Sequence, residues 1–408
     1  MANKKKIIND PVFGFITLPS ELLYDLLQHP LVHRLTRIKQ LGLTSYVYPG
    51  TQHTRFQHSL GALHLMTEAI KTLQSKGNDI TPAEADAVYA AILLHDIGHG
   101  PFSHTLEDFF FLHHSHEDVG LALIEQLNQE MNGKLDLTLS ILRDTYDKKY
   151  LHELVSGQLD MDRLDYLRRD SFFSGVTEGN IGSARIIKML NIKDGKLVVE
   201  AKGIYSIENF LMSRRLMYWQ VYLHKTAYAA EIMLHKTLLR ARHVAQQDPT
   251  LFASESLRYF LLKGAEELSN DALQHFANLD DADIWVALKT WANHPDKVLS
   301  LLSRGIVNRT IFKVEVSHTP FSDEYLQAGS QELQEQLQLT ESEVAYLTSY
   351  KKVTNNLYRE DDAAIDILFS DGTTKSISQA SDMFNLDVLS KAIHKYYYCH
   401  YRLENEHK

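Results

Sequence analysis

The sequence predicts a mainly α-helical fold, with a helical body to about residue 245 and a smaller α+β region from 246 to 408. Three observations carry this. Apolar residues recur at helical spacing through most of residues 20–180. A second helical stretch, one long helix or a helix pair, runs from Ser206 to Arg242. Strand signals are few, and most lie after residue 300. At 408 residues the chain exceeds one average domain. The body, 1–245, is the expected seat of chemistry, and 246–408 is expected to serve assembly or regulation.

Taken in chain order, Thr54 to Ser75 is an amphipathic helix. Glu84 to Leu94 is a second, rich in Ala and apolar residues, with Pro82 just inside its start. His116 to Asn132 is a third, and Asp160 to Asp170 a fourth with one polar face. Ile192 to Ala201 contains Asp194-Gly195, a hairpin turn. Val307 to Val316 is rich in β-branched residues and reads as strand. Ile365 to Phe369, the turn Asp371-Gly372 and Thr374 to Ile377 read as a second hairpin.

Composition narrows the function. The chain is 44% hydrophobic and 23% charged, an ordinary globular balance. No run of about 18 apolar residues is present, so no membrane partner is expected. The basic start, Met-Ala-Asn-Lys-Lys-Lys, is followed by no apolar signal segment, so secretion is not expected. Cys399 is the only cysteine, which excludes an intrachain disulfide and a thiolate metal cluster and fits a reducing cytoplasm. A net charge of -10 argues against nucleic acid as a partner.

Six of the 21 histidines crowd into the interval from His95 to His116. His95 and Asp96 are adjacent at the end of an apolar helix, which Gly98 and Gly100 then break. A buried pair of this kind is costly unless it is coordinated or hydrogen-bonded. Two further ligands must come from elsewhere: His58 in Arg55-Phe56-Gln57-His58-Ser59-Leu60-Gly61, and Asp162 in Asp160-Met161-Asp162-Arg163-Leu164-Asp165-Tyr166. Each alone has an ordinary explanation, a satisfied helix histidine or a cap. Their joint order makes a metal set. Two imidazoles and two carboxylates suit Fe, Mn, Ni or Zn, and Mg is also compatible, including with a nucleotide. A divalent ion so held can activate water at neutral pH.

The order His58, His95-Asp96, Asp162 resembles the H…HD…D signature of the HD superfamily. Tyr46-Val47-Tyr48-Pro49-Gly50, His53, Arg55 to Gly61 and His95-Asp96-Ile97-Gly98-His99-Gly100-Pro101-Phe102-Ser103-His104 resemble one branch, the deoxynucleoside triphosphate triphosphohydrolases. The resemblance runs from about Ile8 to about Lys236. It implies an HD-type helical catalytic body and a metal-dependent enzyme that cleaves a deoxynucleoside triphosphate into deoxynucleoside and triphosphate. It further implies that His99, His116 and Glu107 form a catalytic network beside the metal, with His104 close to the scissile phosphate. Glu107 stands where the vertebrate members carry Asp. An imidazole there can protonate a leaving oxygen. His113 and His114 read as loop surface.

Asp162, Tyr166 and Asp170 share a helix face at i, i+4 and i+8, with Arg163 at its edge. Arg214, Tyr218, Tyr222 and Lys225 fall within about 80° on an ideal helical wheel. By resemblance Gln40, Arg55, Arg163, Tyr166, Asp170, Arg214, Tyr222 and Lys225 contact the nucleotide, and Gln40 and Tyr166 crowd the 2′ position. The vertebrate activator positions align with Gln28, His33 and Thr36, so a guanine-specific activator site is expected to be absent or altered. The resemblance also implies a homo-oligomer, a dimer or tetramer. An HD hydrolase acting on another phosphate ester, a nucleoside monophosphate, GTP or a cyclic nucleotide, is the alternative. Three arginines favour a polyphosphate.

Overall fold

The computed structural model describes residues 6–264, 266–355, 365–382 and 393–403, so most of the basic start lies outside it. The expected helices form where local sequence favours them. Thr54 and Gln57 build a capping box that starts Arg55–Ser75. Thr81 and Glu84 build another, with Pro82 at the first position of Pro82–Leu94. Ser115 and Asp118 start His116–Glu130. Asp160 caps Met161–Ser174, which stops at Gly175 with φ of +75°.

Close approach between these helices depends on two glycines. A Cβ on Gly61 would stand 2.0 Å from Asp165 Oδ1, so the bare backbone lets Met161–Ser174 close on Arg55–Ser75. A Cβ on Gly98 would stand 2.0 Å from the His116 carbonyl oxygen. Gly98 therefore does more than break a helix. It admits the start of His116–Glu130 against the His95–Asp96 corner.

The Ser206–Arg242 stretch is a helix pair with a joint. Ile204–Met217 passes into a π-helical turn, Tyr218–Tyr222, and Lys225–Gln247 follows. The ideal wheel for Arg214 to Lys225 does not apply across that turn, because the π turn adds a residue to the register. Lys225–Gln247 crosses residue 245 unbroken and packs on Glu255–Leu262 and Lys297–Val307.

The later region holds more helix than the strand signals foretell: Glu255–Leu262, Asn270–Ala277, Asp281–Trp291 and Lys297–Val307. Val307 ends a helix, because Val298, Leu299, Leu302 and Ile306 bury one helical face. The strand starts only at Lys313, after Arg309 turns the chain with φ of +59°. Among the described residues there are three sheets. Ile7–Asp10 and Gly14–Thr17 form a hairpin that hydrophobic patterning did not reveal. The two expected hairpins join into one sheet, Lys196–Glu200 pairing in parallel with Asp366–Leu368. Ile393–His400 runs between Lys313–Ser317 and Thr348–Asn355. No helix among the described residues is long and apolar enough to cross a membrane.

Candidate metal centre and nucleotide pocket

His58 comes from the first turn of Arg55–Ser75, His95 from the end of Pro82–Leu94 and Asp162 from the first turn of Met161–Ser174. One donor atom from each lies within 4.8 Å of the others. The two Nε2 atoms are 3.3 Å apart. Asp162 Oδ1 stands 3.0 Å from His58 Nε2 and 3.6 Å from His95 Nε2. Asp96 Oδ1 is 3.3 Å from His95 Nε2.

The tautomers follow from the far side of each ring. His58 Nδ1 donates to Asp165 Oδ2 at 2.7 Å, and His95 Nδ1 donates to the Ile92 carbonyl at 2.6 Å. With both rings neutral, the Nε2 lone pairs face each other across two carboxylates, acceptors without a donor unless a proton or a cation enters. A divalent cation resolves that conflict, and the residues fit one. The charges agree. Burial lowers His58, yet hydrogen bonds to Asp162 and Asp165 outweigh it and push the ring up to about 10. Burial raises the Asp162 carboxyl, but His58 and His95 hold it well below the usual range. The cluster thus calls for positive charge.

A second group stands beside the first. His99 Nε2 is 3.3 Å from Asp96 Oδ1, and its Nδ1 bonds Ser103 Oγ. Burial and the nearby Arg55 hold His99 well below its usual value, so it stays neutral. The ring stacks on His116, centroids 4.0 Å apart. His116 Nδ1 donates to Glu107 Oε1 at 2.8 Å. His104 is exposed, with Nδ1 3.9 Å from Glu107 Oε2. The nearby His104 imidazole and the hydrogen bonds from His116 hold the Glu107 carboxyl well below its usual range. His113 is exposed, while His114 meets the Glu266 carbonyl and lines one cavity with Glu107 and His116.

Around these lie the expected nucleotide contacts. The Tyr166 ring is 6.5 Å from that of His58 and 6.1 Å from that of Tyr222. Tyr222 donates to Asp170 Oδ2 at 2.8 Å, and His53 Nε2 donates to Asp170 Oδ1 at 2.7 Å. Gln40 joins them through its amide, which bonds the His53 carbonyl. Gln40 Oε1, His53 Nδ1 and Arg55 Nε are buried with no hydrogen-bond partner among the described residues. Buried polar atoms are rarely left so, and a bound ligand is one way to satisfy them. The cations are unequal. Arg55 is spent on Asp96 at 2.8 Å. Arg163 is spent on Asp160 and the Gly157 carbonyl. Among the described residues Arg214 bonds the neutral Gln158, at 3.2 Å, and Lys225 is exposed.

The chain matches the HD domain over residues 55–170 and the HD associated region over 181–259. It is 30% identical to an uncharacterized protein of Bacillus subtilis, over 97% of this chain and 92% of that one. It is 60% identical to a phosphohydrolase of Bacteroides thetaiotaomicron of known crystal structure, with a TM-score of 0.95 over 98% of this chain and all of that one. The chain belongs to the HD-domain phosphohydrolases. It is also 28% identical to human deoxynucleoside triphosphate triphosphohydrolase SAMHD1, over 58% of this chain and 44% of that protein.

HD domains hold divalent metals, and this HD phosphohydrolase brings His58, His95 and Asp162 to one point, with Asp96 at its edge. Sequence reasoning assigned no role to Asp165, His53, Asp10 or Arg169. Asp165 fixes the His58 tautomer. Arg169 grips both Asp165 oxygens and reaches Asp10 at 2.8 Å. A signal for Asp165 existed: it sits three residues after Asp162, on the same helix face. Gln28 and His33 line a cavity of about 290 Å³ behind Phe56, and His33 stacks on that ring.

Proposed function

We propose that this HD phosphohydrolase cleaves deoxynucleoside triphosphates to deoxynucleoside and triphosphate, using one divalent ion held by His58, His95, Asp96 and Asp162. The observation that carries the reading is the placement of Tyr166. It lies one turn after Asp162, its ring beside His58 and Tyr222, in the half of the chain that resembles a deoxynucleotide enzyme. A bound divalent ion supplies Lewis acidity toward a phosphoryl group. Fe, Mn, Ni, Zn and Mg are the candidates. Arg214 and Lys225 bind phosphate oxygens, with Arg163 beside them and the buried Arg55 adding charge from behind Asp96. Gln40 and Tyr166 crowd the 2′ side of the sugar, while Asp170 and Tyr222 brace that wall. Hydrolysis puts a water oxygen on the α-phosphorus and releases the 5′ oxygen, which takes a proton from His104. Glu107 faces that imidazole with one carboxylate oxygen and accepts from His116 with the other, a route by which the proton is replaced afterwards. The active form is a dimer or tetramer, in keeping with the branch it resembles.

One observation favours a second reading. Asp96 and Asp160 already neutralise Arg55 and Arg163. The charge left for a polyphosphate is smaller than three arginines imply, and a nucleotide ester with fewer phosphates needs less. Ion-exchange product analysis with each dNTP and NTP, in the presence of Mn, separates the two. We expect triphosphate and deoxynucleoside. Ribonucleotides should react roughly tenfold to hundredfold more slowly, because a 2′ hydroxyl against Tyr166 is left unsatisfied at about 1–3 kcal/mol. Monophosphate or pyrophosphate as the product, or equal rates for GTP and dGTP, would move the assignment to the second reading.

A further inference from the structure

The catalytic loop His99–His104 is gripped from a part of the chain that neither matched family region includes. Asp281 is the first residue of the helix Asp281–Trp291, and it is 5% exposed. Its two carboxylate oxygens do different work. Oδ1 accepts the Phe102 amide at 3.2 Å, and Oδ2 accepts the Lys39 amide at 3.0 Å. Phe102 lies between His99 and His104 and adopts φ of +48°, a left-handed conformation that a bulky side chain disfavours. Lys39 precedes Gln40 and bridges to Thr54, next to Arg55.

The neighbouring residues reinforce this grip. Asp280 accepts from Arg37 and caps the helix through the Ala282 amide at 2.9 Å. The Leu279 carbonyl accepts from Arg34, which is fully buried. The other end of Arg34 donates to the carbonyls of Ile97 at 2.6 Å and His99 at 2.9 Å. Three successive residues, 279–281, therefore hold the loop that carries the relay and the segment that carries Gln40. Burial pushes the Asp281 carboxyl up to about 6, against the two amides that lower it. An apolar residue would avoid that cost but leave both amides unpaired.

We propose that Asp281 is a positioning residue: by clasping the Phe102 and Lys39 amides it fixes His99 and His104 against the nucleotide wall at Gln40. The inference rests on the relay assignment made above. It touches no metal ligand, so its effect should fall on turnover and leave ion binding alone. Small displacements of reacting groups are expensive, about a hundredfold for roughly 1 Å.

The test uses the full-length, metal-loaded protein with Asp281→Asn and Asp281→Ala. Asn keeps one carbonyl acceptor but turns an amide donor toward the second N–H, so it should lie between wild type and Ala. We expect kcat to fall by about tenfold to a hundredfold in Ala, KM to change much less, and metal content by elemental analysis to stay at the wild-type level. Hydrogen exchange should quicken in peptides covering Lys39 and Phe102 and stay unchanged in the Arg55–Ser75 helix. Assays run well below both melting midpoints remove a simple stability effect. An unchanged kcat in folded Ala protein overturns the proposal, and so does loss of metal together with activity. If Ala does not fold, the same criteria apply to Asn. Activity is read on dGTP and on bis(p-nitrophenyl) phosphate. A wild type active only on the latter defeats the dNTP assignment while still measuring the clasp.

Discussion

The metal cluster and the histidine relay share Asp96, yet they are built to opposite plans. Behind the cluster every group is tied down. His58 is 1% exposed, Asp165 holds it, Arg169 holds Asp165, and Asp10 holds Arg169. The relay loosens along its length. His99 is 3% exposed, the His116 and Glu107 side chains 26% each, and that of His104 73%. An ion site profits from ligands fixed before binding. A proton donor, the role proposed for His104, has to exchange with solvent between turnovers, and the wet outer end suits it. The difference implies that the two regions fail in different ways, and variants can separate those failures.

The largest effect should come from the ligands. His95→Ala or Asp162→Ala is expected to abolish both bound metal and activity while helical circular dichroism persists. Stoichiometric metal in both purified variants would break the distinction at its root. Next comes the relay. His116→Ala should retain metal and lower turnover by about 10² to 10⁴, the usual range for losing a general acid or base. Wild-type turnover at saturating substrate would reduce His116 to a packing residue against His99.

How much of this was legible beforehand follows the same divide. The candidate ligands on helix ends were legible only together, because each of His58, His95-Asp96 and Asp162 has an ordinary explanation alone and only their joint order points to a metal set. The four capped helices were legible from local sequence alone. What could not be read was any fact that needs a distant partner. Arg55 looked like a free phosphate binder, and only the fold brings Asp96 onto it, whereas Arg163 finds Asp160 just three residues away, a pairing local sequence does offer. The π turn at Tyr218–Tyr222 carries no local breaker, so an ideal wheel was applied where it does not hold. Val307 is β-branched and locally favours strand, yet tertiary packing makes it the end of a helix, and the strand starts six residues later. Asp281 was invisible, since its role exists only through two backbone amides about 180 and 240 residues upstream.

The smallest expected effect sharpens the comparison most, because it perturbs the cluster without removing a ligand. Asp165→Asn keeps an oxygen for the His58 Nδ1 proton, so the tautomer survives. The negative charge does not. His58 becomes a weaker donor, and loss of such an outer partner usually costs about 10- to 100-fold in metal affinity. The amide nitrogen also faces Arg169, whose buried charge is then balanced by Asp10 alone, and breaking a buried pair costs about 3–5 kcal/mol of stability. The relay is untouched, since Asp165 contacts none of its members. Activity titrated against added metal should therefore shift its half-saturation point upward by about tenfold to a hundredfold. The plateau turnover should stay close to wild type. A plateau that falls as far as in His116→Ala, with metal fully bound, would mean that cluster and relay work as a single unit joined through Asp96.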